Sequence, residues 1–244
     1  MLDTVKRESI YQPRQPGLKF PEKPVFATHA EERRHRQQRL VAACRAFAVH
    51  GLDYGFAGHL TIRDPEHPEL YWTNPMAVHF AQVRLGNLIL ADHKGRVVQG
   101  SHAINRAGFV LHAAVHEAHP DILAMCHAHT VYGVAYAALG RPLPPVTQDA
   151  CAFFEDHVVI SDEGGKVAVE EQAGHNFAAA FKGVKAAIHQ NHGLITASRH
   201  SIEAAAFWFI ALERCCQQQL MLDATGITPT LVPPDKARYS REHV

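Results

Sequence analysis

Ile122-Leu-Ala-Met-Cys-His-Ala-His129, a mostly apolar run that closes on two histidines, decides how this chain folds. A run of this length and composition predicts a buried strand. Side chains alternate between the faces of a strand, so His127 and His129 share one face while Cys126 and Ala128 share the other. Helix signals bracket the run. Asn105 caps a helix that ends before Pro120, and Thr130 caps a short helix that Gly140 stops.

Toward the N-terminus, residues 54–98 break into short alternating segments, His59–Arg63, Leu70–Thr73, Asn87–Ala91 and Arg96–Val98, punctuated by glycine and proline. That is the pattern of a mostly antiparallel sheet. Thr28 and Glu31 have capping-box spacing ahead of a helix reaching about His50, with Leu40, Val41, Cys44, Phe47 and Ala48 on its apolar stripe. Toward the C-terminus a strand is expected near 157–160, a helix near 170–181, a strand near 184–189 and a long helix over about 201–223. A mixed sheet covered by helices accommodates this succession. One domain is expected over residues 28–225, after a proline-bearing extended arm (1–27) and before a tail (226–244).

At 244 residues and 47% hydrophobic, the chain is long enough to bury one continuous core. Lys+Arg and Asp+Glu are both 24, which removes any overall pull toward nucleic acid or an anionic membrane and leaves a small molecule as the expected partner. Cys44, Cys126, Cys151, Cys215 and Cys216 show no zinc-ribbon spacing and suit a reducing, cytoplasmic setting. Neither a secretory h-region near Met1–Ser9 nor a membrane-length apolar run is seen. The 19 histidines are scattered rather than gathered in a tract, so their spatial grouping becomes the question.

Two imidazoles at a strand end form a bidentate clamp for a divalent transition metal, although the same spacing also occurs in histidines that make only ordinary hydrogen bonds. A third imidazole is available at His192, in His189-Gln-Asn-His192-Gly193, where an apolar strand ends and Gly193 allows a sharp turn. Three neutral imidazoles leave at least one coordination position open, the arrangement of a catalytic site. On the helix from Asn105, Phe109, His112, Ala113 and His116 fall at i, i+3, i+4 and i+7, so both histidines face inward. His112 is the candidate proton-transfer group, set against the ordinary role of a buried histidine satisfied by hydrogen bonds. Glu155 and Asp149 are further carboxylate candidates, Glu155 as a second catalytic group.

Residues 104–130, His189-Gln-Asn-His-Gly-Leu-Ile195, Gly58-His-Leu-Thr-Ile-Arg63, Thr73-Asn-Pro75 and Ala211-Leu-Glu213 together resemble the class II aldolase/adducin family from about residue 35 to 222. The resemblance implies an α/β fold of three layers, α/β/α, around a central mixed, largely antiparallel sheet. It also implies a homotetramer with active sites at subunit interfaces, and metal ligands at His127, His129 and His192. The family's sugar-phosphate aldolases carry Pro-Ser-Ser-Glu where this chain has Asn105-Arg-Ala-Gly108, so their proton-transferring glutamate is missing. Their Gly-Asn-x-Ser phosphate loop is replaced by Gly58-His-Leu-Thr61.

The pattern is similar instead to the adducin-head branch and to aminocoumarin-pathway enzymes that oxidatively decarboxylate aromatic 2-oxo and 2-hydroxy acids with non-haem iron. Gln148-Asp-Ala-Cys-Ala-Phe-Phe-Glu155 follows the latter. The expected function is metal-dependent cleavage or decarboxylation of a small non-phosphorylated 2-oxo or 2-hydroxy acid, with Fe2+, Zn2+ or Mn2+ as cofactor. The alternatives are an Fe2+ oxygenase acting on an aromatic acid and a non-catalytic adducin-like binding module. His59, Asn74, Arg106 and Gln148 are the expected substrate-binding residues.

Overall fold

The computed structural model describes residues 15–19, 22–162, 165–167 and 170–243. Helix α1 (His29–Val49) opens on the expected capping box: Glu31 N donates to Thr28 Oγ1 at 3.2 Å while Thr28 N donates to Glu31 Oε2 at 3.2 Å. Strands β1 (His59–Arg63), β2 (Leu70–Thr73), β3 (Ile89–Asp92) and β4 (Val97–Gln99) follow as an antiparallel meander. Then come α2 (Arg106–Ala118), β5 (Ala124–Ala128), α3 (Val131–Ala137), a short α4 (Gln148–Cys151), β6 (His157–Ile160), α5 (Glu171–Phe181), β7 (Ala186–His189), β8 (Gly193–Ser198), α6 (Ile202–Ala224) and α7 (Pro234–His243). The strands make one sheet in the order β4-β3-β2-β1-β5-β8-β7-β6, antiparallel throughout except for the parallel pair β6–β7.

Alternation along the strands divides the core between the two sides of the sheet. Leu60 and Ile62 of β1, Cys126 of β5 and Leu194 of β8 pack with Leu40 and Phe47 of α1 and with Phe209 and Leu212 of α6. Met125 of β5 and Ile195 and Ala197 of β8 pack on the opposite side with Leu111 and Val115 of α2 and Phe177 and Phe181 of α5. The result is the expected three-layer α/β/α architecture. His59, Thr61 and His127 belong to the α2 side, because each is one position out of phase with the α1/α6-facing residues.

The short α4, β8 and α7 are missing from the sequence reading. β8 is buried at every position, and it begins at Gly193, where the sequence was read as the end of a strand. Helix α7 lies within the expected tail; Pro234 opens it, and Arg238 and Arg241 reach back to Glu155. Among the described residues no helix is long and apolar enough to cross a membrane, and the five cysteines are free and buried.

Asp64, at the end of β1, ties α1 to the sheet. Its carboxylate accepts from Arg33 Nε (2.7 Å) and Nη2 (2.9 Å), Trp72 Nε1 (2.8 Å), and the backbone N–H groups of Glu66 and His67 (both 3.0 Å). These donors, Arg33 first, hold its carboxyl below the usual carboxylate range despite burial, which acts in the opposite direction. A carboxylate with a depressed folded-state pKa contributes stability above its ordinary value and loses that contribution as pH falls below about 4. Asp64→Asn is expected to cost about 2 kcal/mol at neutral pH and to flatten the acid limb of the stability curve, measured by urea unfolding between neutral and acid pH.

Candidate metal centre

His127 lies on the last turn of pleat before β5 ends at Ala128, and His129 stands just beyond it. His192 lies in the turn between β7 and β8, where Asn191 takes φ +56° and His192 N donates to His189 O at 3.0 Å. Asparagine tolerates this left-handed conformation better than most residues. The three rings converge, with centroids 5.0 Å (His127–His129), 4.8 Å (His127–His192) and 4.8 Å (His129–His192) apart, each pair near perpendicular. One ligand nitrogen from each lies within 4.8 Å of the others.

The donor set fits a metal. His127 Nδ1 donates to the Leu194 carbonyl at 2.8 Å, which leaves Nε2 with a bare lone pair directed at His192 Nε2, 3.1 Å away. Two nitrogens each about 2.0–2.1 Å from one ion would be separated by roughly that distance. Burial keeps the imidazoles in the neutral, ligating form: it pushes His127 well below its ordinary value and His192 down to about 3, with neighbouring histidines adding to the shift.

Glu213 of α6 steadies the segment behind His129. Its buried carboxylate accepts from Thr130 Oγ1 (2.5 Å), Tyr132 N (3.0 Å) and Gly133 N (2.7 Å). Thr130 therefore stands at the N-cap position of α3 without capping it by its own side chain; the orphan N–H groups there are taken by Glu213. Thr61 likewise escaped the sequence reading, although its i+2 spacing from His59 places both on one strand face.

His59 is brought beside this centre. It pairs with His127 across β1 and β5, and their ring centroids are 5.2 Å apart. It is buried, and neither ring nitrogen has a hydrogen-bond partner among the described residues. Its place depends on Gly108: a Cβ at 108 would overlap Cε1 and Nδ1 of His59 and lie 3.0 Å from Nε2. Asn105 caps α2 through Gly108 N (3.3 Å), holding that turn against β1. His112 lies against the other side, 4.1 Å from His59 between centroids. His112 Nδ1 meets Thr61 Oγ1 at 2.9 Å, and burial drives its pKa well below the ordinary value.

Asn74 is buried and its Oδ1 accepts from Leu60 N at 2.9 Å, so it fixes the backbone next to His59. Arg106 stands exposed on the first turn of α2, and among the described residues no ion pair engages it. Gln148 is exposed at the start of α4, and Asp149 borders a cavity of about 190 Å³ beside Trp208 and Arg214 of α6. Glu155 requires a correction. Its carboxylate is exposed and held by Arg238 (2.9 Å) and Arg241 (3.5 Å), so it fastens α7 rather than serving the histidines of its own chain.

The three-layer α/β/α domain, with three imidazoles converging at the end of its central strand, is assigned to one family by its sequence. Residues 38–220 match its description, the Class II Aldolase and Adducin N-terminal domain, and the chain belongs to that family. It is 44% identical over 223 residues to the protein named Decarboxylase NovR of Streptomyces niveus, spanning 91% of this chain and 82% of that one. It is 42% identical over 227 residues to the 4-hydroxy-3-prenylphenylpyruvate oxygenase/4-hydroxy-3-prenylbenzoate synthase of Streptomyces roseochromogenus subsp. oscitans, spanning 92% and 81%. Among solved structures, an L-fuculose 1-phosphate aldolase from Glaciozyma antarctica PI12 is similar with a TM-score of 0.83 at 40% identity, covering 91% of this chain and 86% of that one.

Gly108→Ala tests the packing of His59. Helix propensity alone favours alanine by about 1 kcal/mol, but overlap with the imidazole is expected to reverse the sign and cost about 1–3 kcal/mol. The double variant His59→Ala/Gly108→Ala should recover most of that loss. Chemical denaturation of both variants checks the coupling, and independent, additive effects would contradict it.

Proposed function

We propose that this chain is a metal-dependent enzyme that cleaves or decarboxylates a small, non-phosphorylated 2-oxo or 2-hydroxy acid, with His127, His129 and His192 holding the ion. The observation that carries this reading is the three-imidazole cluster beside a glycine that admits His59 in place of an acidic side chain. A divalent ion such as Fe2+, Zn2+ or Mn2+ bound there supplies Lewis acidity toward the acid's carboxylate and its neighbouring oxygen. His59 faces the bound acid, Asn74 holds the β1 backbone that carries His59, and Arg106 at the rim offers a guanidinium to a carboxylate.

The polar interior supports a substrate without phosphate. The buried polar residues described include His59, Thr61, His112, His116 and His189 but no lysine or arginine. Beyond the proposed ion, a phosphate dianion would meet no buried lysine or arginine among the described residues. This separates the chain from what the name of its Glaciozyma structural relative implies, and agrees with the decarboxylase named among its relatives. The names of the two Streptomyces relatives favour a second reading, oxidative decarboxylation of an aromatic acid with O2 as co-substrate. Exposed Val131 and Tyr132, directly after His129 and Thr130, support a homotetramer with this mouth at a subunit interface.

His192→Ala is expected to weaken metal binding by about two orders of magnitude, because only the His127/His129 clamp remains. His112→Ala is expected to keep the metal. Elemental analysis after gel filtration checks both, and full metal content in the His192 variant would refute the ligand set. Turnover of aromatic 2-oxo and 2-hydroxy acids by the metal-loaded chain is expected to continue undiminished under strict anaerobiosis. Oxygen uptake matching substrate loss would decide for the oxygenase reading.

A further inference from the structure

The cavity of about 190 Å³ between α4 and α6 shares no residue with the three-histidine cluster. Its hollow follows from side-chain size. Phe207, Ala211 and Arg214 fall at i, i+4 and i+7 of α6, so two large side chains stand on one stripe with a methyl group between them. Ala152, which closes α4, lines the same space with a second methyl group. Two alanines among larger neighbours leave the volume unfilled.

The aromatic wall of this hollow is held from behind. Lys185 Nζ lies over the Trp208 ring, 3.9 Å from its centroid, and Phe153 and Phe207 meet that ring edge-on at 5.9 Å and 5.0 Å. Lys185 is fixed in turn, donating to Ala152 O at 2.9 Å and pairing with Asp156 at 3.6 Å. Trp208 therefore offers a pre-set apolar surface.

The charges at the rim decide what fits. Asp149 of α4 and Arg214 of α6 are both exposed, and among the described residues neither side chain forms an ion pair or hydrogen bond, with the other or with a third group. Nearby acids are matched: Asp156 by Lys185, Asp223 by Arg141 and Glu155 by Arg238. One carboxylate and one guanidinium, left unmatched on a single apolar hollow, complement a molecule that carries both opposite charges beside an apolar body.

We infer that this cavity binds an apolar α-amino acid as its zwitterion, with the ammonium on Asp149, the carboxylate on Arg214 and the side chain against Trp208 and Phe207. A guanidinium takes a carboxylate through two parallel hydrogen bonds. A simple carboxylic acid leaves Asp149 unpaired and brings a like charge near it; a simple amine does the same to Arg214. The volume lies below that of drug-sized ligand sites and suits a small metabolite. A concave hollow also favours a small ligand over a flat subunit face, which would leave it empty. Nothing in this site depends on the reaction at the histidines.

Calorimetry of the zinc-loaded full chain with L-phenylalanine as the probe tests the assignment. A dissociation constant of about 1 mM or lower is expected, with hydrocinnamate, which lacks the ammonium, and phenethylamine, which lacks the carboxylate, each at least about tenfold weaker. Asp149→Asn and Arg214→Gln alter exposed side chains; both are expected to keep the wild-type circular dichroism and to bind L-phenylalanine about tenfold more weakly. His192→Ala is expected to bind it as the wild type does. Absence of binding at about 20 mM probe, equal affinity for the three compounds, or unchanged affinity in both rim variants would overturn the inference. So would binding that is lost in His192→Ala yet kept in the rim variants, which would move the amino acid to the histidine cluster. Self-association that Arg214→Gln abolishes, with no heat from L-phenylalanine, would give this face to a second copy of the chain and overturn it as well.

Discussion

The fit of the His59 imidazole against Gly108 is the constraint on which the rest of this site depends. Any side chain at 108 would claim the volume of that ring. With glycine there, α2 approaches β1 closely enough for His112 and His116 to reach the Thr61 hydroxyl between them. Register then does the remaining work. Because His59 pairs with His127 across β1 and β5, a ring held against α2 lies next to the histidine-bearing end of the central strand. One absent side chain thus couples a helix start, a strand register and the environment of the three-histidine cluster.

The site combines rigid and polar parts that support one another. His127 is oriented by the Leu194 carbonyl of β8, so the strand that follows His192 in the chain also aims His127. Glu213, brought from α6, satisfies the N–H groups at the start of α3 and the Thr130 hydroxyl, which holds the backbone beyond His129. Its burial raises its pKa, and these three donors oppose the rise. His127 and the backbone beyond His129 are therefore each fixed by an element other than their own, as preorganised sites require.

Most of the fold was legible because its elements keep a clear period. Glycine and proline punctuation marked off the β1–β4 segments, and the stripe that carries His112 and His116 repeats as a helix face must. β8 was not legible because Gly193, read as the turn at which the preceding strand ends, also opens the next strand. The His127-x-His129 pair was legible, but for a partly different reason than strand period: β5 ends at Ala128, and His129 joins the cluster from the following turn. Glu155 was misread because its partners lie 83 and 86 residues further along, in a helix that the prolines of the C-terminal segment concealed. The dependence of His59 on Gly108 was also hidden: both residues could be singled out, but only the packing of α2 on β1 shows that they exclude one another's side chains.

The central proposal is that His127, His129 and His192 hold a metal while His59, although adjacent, does not ligate it. X-ray absorption spectroscopy of the full chain loaded with one equivalent of zinc tests this most directly. The account predicts scattering from three histidine rings with Zn–N distances of about 2.0–2.1 Å, unchanged in His59→Ala. Four imidazoles in the wild type falling to three in that variant, or fewer than three in the wild type, would contradict it.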